Sequence, residues 1–349
     1  ALTEATTPTR PPRPVGECPY RGLAAFREQD APFFFGREDF VALLLDALHR
    51  QPPITVLIGP SGSGKSSTVY AGLLPRLRGR DDGDWLIAHC RPGGQPFRAL
   101  AATLLPLLEP QSSETDRLIE SQKLATAWHR GDLALRPMVK RVLAVDPGAE
   151  HLLLLIDQFE ELYTLCPEAT ERQHFLDLLL AAVGAVIGSS VPSFALLVTL
   201  RADFMGQALS YRPFADALQK GAVMLGPMNP EELRAAIVEP ADVQGAAFEP
   251  GLVDRILDDV GDEPGSLPLL EFALTLLWEQ AEAGWLTHER YEALGRVQGA
   301  LARHAEHVFV DLPPDDQKRM RRILVQLVQP GEGTEDTRRV ATRPEVGEA

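Results

Sequence analysis

Ile54-Thr55-Val56-Leu57-Ile58-Gly59-Pro60-Ser61-Gly62-Ser63-Gly64-Lys65-Ser66-Ser67 decides how the rest of the chain is read. An apolar run of the kind formed by a strand covered on both faces passes into a loop that fits G-x-x-x-x-G-K-[ST]. A helical pattern over 66–77 follows. Strand, loop and helix in that order are what the spacing needs. The glycines let backbone N–H groups converge on phosphates, and the helix start adds partial positive charge. The pattern assigns Pro60, Ser61, Gly62, Ser63, Gly64, Lys65, Ser66 and Ser67 to a nucleotide, with Lys65 reaching its β and γ phosphates and Ser66 ligating Mg2+. Lysine is scarce here, five against 29 arginines, which sharpens a match that demands one.

Outward from this stretch, apolar runs recur at 85–90, 152–156, 194–200 and 222–225. Helical patterns lie between them at 97–108, 118–142 with a break at Gly131, and 171–183. Strands alternating with helices predict an α/β fold: a three-layer parallel sheet of about five strands with helices on both faces. Beyond Gly226-Pro227 the patterns are helical only, at 230–238, 251–260, 267–280 and from 287 onward. Asn229 ahead of Pro230-Glu231-Glu232 reads as a helix start. Two further helical patterns in 299–328 flank Leu312-Pro313-Pro314-Asp315, and the end is polar. The expected division is a Pro/Arg-rich linker over 1–17, a nucleotide-binding domain over 18–228, a small helical lid over 229–292 and part of a further domain over 293–349.

The 349 residues are 45% hydrophobic and 24% charged, ordinary globular composition with room for a sizeable core. A net charge of −15 argues against coating of DNA or anionic lipid. The apolar stretches, such as 178–187, fall short of the roughly 20 residues of a bilayer span, so no membrane association is expected. Cys18, Cys90 and Cys166 lack metal-ligand spacing and suit a reducing, cytoplasmic compartment without zinc. The start at Ala1 and the early Pro/Arg-rich segment lead us to expect a piece of a longer protein.

Asp157 closes the apolar run 152–156. At a strand's carboxyl end it points into the crevice where open α/β sheets bind ligands, as a Mg2+ ligand, or else it caps the helix that follows. Gln158 follows it where a general base would serve, and Glu160 and Glu161 come one turn later. Gln orients water without taking its proton, so slow, gated ATP hydrolysis with one of these acids as base is expected. The two acids read equally well as surface residues of an early helical turn. Arg201 ends the run 194–200, next to the metal-bearing strand. It faces a γ-phosphate, or else pairs locally with Asp203.

The stretches Cys18-Pro19-Tyr20-Arg21-Gly22-Leu23, Phe33-Phe34-Phe35-Gly36-Arg37-Glu38, the phosphate loop, Asp157-Gln158-Phe159-Glu160-Glu161-Leu162, Thr199-Leu200-Arg201 and Gly265-Ser266-Leu267-Pro268 occur in this order. Together they resemble the STAND class of signal-transduction P-loop NTPases, most closely the novel-STAND branch often fused to WD40 repeats. The resemblance covers most of 18–330. It implies that Phe35, Gly36 and Arg37 border the adenine and ribose, although packing alone would put at least two of Phe33, Phe34 and Phe35 in the core. It further implies that Pro268 packs near the nucleotide from the lid, where a first-turn helix proline would also stand, and that a winged helix begins in 299–328. ATP or ADP with Mg2+ would then gate a switch that homo-oligomerises, with effector and sensor domains on either side, in prokaryotic defence or cell-death signalling. Two other readings compete. One is an AAA-type, origin-recognition-like DNA-binding ATPase, which the net charge opposes though Lys318, Arg319, Arg321 and Arg322 could form a basic face; the other is a nucleotide-binding scaffold without turnover.

Overall fold

Five strands, β1 (Thr55–Gly59), β2 (Asp84–Cys90), β3 (Ala149–Ile156), β4 (Phe194–Arg201) and β5 (Ala222–Met224), pair in the order β2-β3-β4-β1-β5. Every pairing is parallel. This computed structural model describes residues 16–50, 54–79, 84–183, 193–261, 265–329 and 337–338. Nearly all of the expected linker and most of the polar end lie outside the described residues.

Side chains alternate across a strand, and the apolar runs use both faces. Val56, Ile58, Leu152, Leu154, Ile156, Leu196, Val198 and Leu200 enter one core cluster, and Leu57, Leu153, Leu155, Ala195 and Leu197 the other. Helices Pro96–Leu108, Glu114–Arg130, Leu135–Val145 and Ala169–Val183 cover the first face. Helix Glu38–His49 and the helical stretch that leaves the phosphate loop cover the second. The break expected at Gly131 is a left-handed helix end at φ +77°. From β1 the chain runs out to β2, returns through β3 and β4, and then crosses to β5 on the far side of β1. The carboxyl ends of β1, β3 and β4 therefore meet where strand order reverses, the place such sheets bind ligands.

The helical region expected to be the lid begins at helix Pro230–Val243, started by a reciprocal cap: Glu232 N donates to Asn229 Oδ1 (2.8 Å) and Asn229 N donates to Glu232 Oε2 (2.9 Å). Its apolar cluster runs from Ile237 through helices Leu252–Val260, Ser266–Glu279 and His288–Leu294 to Val297 and Ala300 of helix Arg296–Asp311, past the division drawn at 292. It also takes in Tyr20, from the segment assigned to the nucleotide-binding domain. Helix Pro314–Gln326 follows, then a two-residue antiparallel pairing of Val328–Gln329 with Thr337–Arg338. Among the described residues no helix is long and apolar enough to cross a membrane.

Residues 18–37 fasten the lid to the sheet. Tyr20 OH donates to Ile237 O (2.6 Å), and Arg37 Nη2 donates to Gly226 O (2.9 Å) with Nη1 at 3.6 Å from the Glu232 carboxylate. Gly36, at φ +81°, lies so close to the lid that a Cβ there would stand 2.2 Å from Glu232 O. Gly36→Ala is therefore expected to lose about 2–4 kcal/mol in urea unfolding, through clash and left-handed strain together.

Candidate nucleotide-binding site

In the phosphate loop Gly62 (φ +74°) and Gly64 (φ +86°) hold left-handed conformations that side chains resist. Lys65 Nζ donates to Gly59 O (2.9 Å) and Pro60 O (2.7 Å), which folds the ammonium over the loop. Burial pushes its pKa down, partly offset by Glu160. The chain continues as Lys65–Ser67, a π-helical Thr68–Leu73 and Leu74–Arg78. The first N–H groups of this helical stretch have no intrahelical acceptor and suit phosphate oxygens. Ser61, Gly62, Gly64, Lys65, Ser66 and Ser67 line a cleft of about 240 Å3. Pro60 and Ser63 do not line it; the Ser63 hydroxyl is buried without a hydrogen-bond partner.

Asp157, just past β3, is fully buried. Its Oδ1 accepts from Ser66 Oγ (2.9 Å) and Thr199 Oγ1 (2.7 Å), its Oδ2 from Tyr70 OH (3.3 Å), and Arg91 Nη2 lies 3.7 Å away. The two residues assigned to Mg2+ thus touch, and a hydroxyl beside a carboxylate is the hard-oxygen pair that ion takes. Thr199 also accepts from Gln158 N (2.9 Å), which holds Gln158 at φ +55°, a left-handed strain at a residue lining the cleft.

The paired acids separate. Glu160 lines the cleft; Arg201 N donates to its Oε2 (3.3 Å), and burial pushes its pKa up against the pull of that N–H and of Lys65. Glu161 turns away and accepts from Gly93 N (3.2 Å) beyond β2, because successive residues of a helical turn face different directions. Arg201 makes the local pair with Asp203 that one of its readings expected, from a position in the cleft wall. It lines the cleft, and its guanidinium grips Asp203 with two hydrogen bonds of 3.0 and 2.6 Å.

At the other end Phe33, Phe34 and Phe35 all line the cleft, where packing logic would have buried two of them. Gly36 and Arg37 are not part of it; they are spent on the junction with the lid. Pro268 lines the cleft from the first turn of helix Ser266–Glu279, its Cγ 3.2 Å from where a Gly62 Cβ would stand.

The family model for novel STAND NTPase 1 matches residues 19–349. The chain belongs to that family. No curated protein matches this novel STAND NTPase. Among solved structures, the Orc1 protein of Aeropyrum pernix in complex with DNA is similar at 17% identity, over 90% of this chain and 76% of that one, with TM-score 0.51. A Walker-type ATPase of Pyrococcus abyssi shares 16% identity over 87% and 83%, with TM-score 0.47. At such identity the first likeness speaks to the fold alone, an α/β P-loop architecture.

Several cleft residues of this STAND NTPase escape a reading of its sequence. Gly22 to Phe26, Met228, Ala236, Leu270 and Glu271 all line the cleft, as does Thr199. The nearest signals are the stretches Cys18 to Leu23 and Thr199 to Arg201, which carry the family resemblance without giving Gly22, Leu23 or Thr199 a role. Tyr70 had none. Thr199→Val keeps shape but leaves a buried carboxylate short of a donor and Gln158 N without its acceptor, so a loss of about 2–3 kcal/mol is expected in denaturant unfolding.

Proposed function

We propose that this NTPase module is an ATP/ADP-gated switch, in which nucleotide bridges sheet and lid and the lid position controls homo-oligomerisation and an effector outside this chain. The observation that carries the reading is that one cleft is walled by the phosphate loop, the β4 end, residues 22–26 and 33–35, and the lid helix bearing Pro268. A ligand there contacts both halves, so its identity biases their arrangement by its differential affinity for each. A place in prokaryotic defence or cell-death signalling, and a winged helix built on Pro314–Gln326, belong to the same reading. DNA does not, since Lys318 and Arg319 pair with Asp315 and Asp316 and Arg321 lies over the Phe309 ring.

Each residue has a role in this reading. The loop N–H groups and Lys65 bind the phosphates, and Ser66 and Asp157 would hold Mg2+, which would supply charge neutralisation to them. Gln158 orients the attacking water, Glu160 takes its proton, and Arg201 exchanges Asp203 for the γ-phosphate. Hydrolysis is slow, since Arg201 must first leave a carboxylate that holds it twice.

Glu160→Gln is expected to lower phosphate release at least tenfold, and Glu161→Gln to leave it within about twofold. Only the ionised Glu160 accepts a proton, so turnover falls as pH drops through its pKa, which burial raises. Equal rates in the parent and both variants would remove Glu160 from the mechanism.

The switch itself is tested by denaturing the purified chain and resolving the released nucleotide by anion exchange. Stoichiometric ADP, lost in Lys65→Ala, is expected of a locked state. An empty site with weak affinity would favour a cycling motor or a scaffold.

A further inference from the structure

Four titratable side chains line the cleft. Lys65, Glu160 and Arg201 stand at the phosphate-loop end, and Glu271 is apart from them on the lid helix Ser266–Glu279. Glu271 lies three residues beyond Pro268, about 4.5 Å further along the helix axis from the contact with Gly62. Arg21 N donates to Glu271 Oε2 (3.2 Å), and five residues later Phe26 N donates to Ser67 Oγ (3.2 Å). The wall formed by 21–26 therefore runs from this carboxyl to the loop. The rest of the lid-side lining, Ala236, Leu267, Pro268 and Leu270, is apolar. Arg21 N satisfies one oxygen of this carboxyl, and the rest of its hydrogen-bonding capacity is open to a ligand in the cleft.

We infer that Glu271 is the base-reading residue of this cleft, its carboxyl facing the N1 and 6-amine edge of an adenine. The inference rests on the nucleotide reading above and adds which residue selects the base. Adenine offers one acceptor, N1, beside one donor, the 6-amine; guanine in the same pose offers the N1–H donor beside the O6 acceptor, with its 2-amine as a second donor on the other side. A neutral carboxyl supplies one O–H and keeps acceptor lone pairs, whereas an ionised one only accepts. Because Oε2 takes the Arg21 N–H, the proton of the neutral form sits on Oε1. That leaves an O–H for N1 and a second lone pair on Oε2 for the 6-amine. The ionised form sets negative charge against the N1 lone pair and suits guanine's two donors.

Both forms are within reach near neutrality. Burial pushes the Glu271 acid up to about 7, against the pull of the Arg21 N–H and guanidinium. The groups that face it are engaged elsewhere. The Arg21 guanidinium pairs with Asp30 (2.6 Å), the Cys18 thiol donates to Tyr20 O (3.5 Å), and Tyr20 OH is spent on Ile237 O. From helix Arg296–Asp311, His304 meets Phe272, the neighbour of Glu271, edge-on.

The test is titration calorimetry of ADP and GDP with the 349-residue chain. The ADP-over-GDP preference is expected to fall roughly tenfold between about pH 6 and about pH 8.5. Taking the ratio cancels the phosphate and Lys65 titrations common to both ligands. Glu271→Gln, whose amide presents a donor and an acceptor at every pH, should keep the preference and lose its pH dependence. Glu271→Ala should lose the preference. A Glu271→Ala chain with the parent's ratio and pH profile overturns the inference, as does a Glu271→Gln chain whose ratio still falls with pH. If the parent binds neither nucleotide and Lys65→Ala changes nothing, the nucleotide reading itself has failed, and this inference falls with it.

Discussion

A carboxylate without water must be hydrogen-bonded on every side, and Asp157 is that carboxylate here. Its hydrogen-bond donors come from three places, Ser66 at the start of the helix after the phosphate loop, Tyr70 from the π-helical turn beyond it and Thr199 from β4, with the Arg91 guanidinium 3.7 Å away. Satisfying one buried acid therefore fixes the loop against the ends of β3 and β4. Thr199 passes the constraint on to Gln158 N and so sets the strained turn that aims Gln158 and Glu160 into the cleft. The widened π turn also carries Tyr70 beneath the Arg27 guanidinium, 4.9 Å from its ring, which ties the same centre to the N-terminal segment.

That segment is the second constraint. Residues 18–37 belong to neither half, yet they bond to both. Tyr20 is buried among lid side chains, Phe26 N meets Ser67, Phe34 packs on the sheet's second face, and Arg37 clamps Gly226 and Glu232 where the chain leaves β5 for the lid. The same segment also walls the cleft, so the switch proposed above would have ligand contacts in the cleft bear on the junction between the two halves.

The strands were legible in the sequence because each is a short apolar run buried on both faces, and alternation then sorts odd and even positions into two clusters without further information. The phosphate loop was legible because its residue types and spacing are dictated by backbone geometry rather than by distant partners. Asp157 was legible as the acid that ends a buried strand. Less was visible where two residues of equal type compete for one role. Glu160 and Glu161 are adjacent carboxylates in a helical turn, and only the packing of that turn sends one into the cleft and the other to Gly93 N. Gly36 and Arg37 read as base contacts by family resemblance, but the close approach of the lid puts them in the junction.

By itself, then, the sequence determined the α/β sheet, the helices after it, the glycine-rich loop between strand and helix and the acid at the end of β3, because each depends on local spacing and on the period of apolar residues. Only the tertiary structure decided which glutamate faces the cleft, that Phe33, Phe34 and Phe35 all line it, and that Glu271 stands in its far wall. Those outcomes depend on contacts between residues as far apart as Arg21 and Glu271, 250 positions along the chain. No local pattern specifies which way a side chain turns when its partner arrives from another layer of the fold.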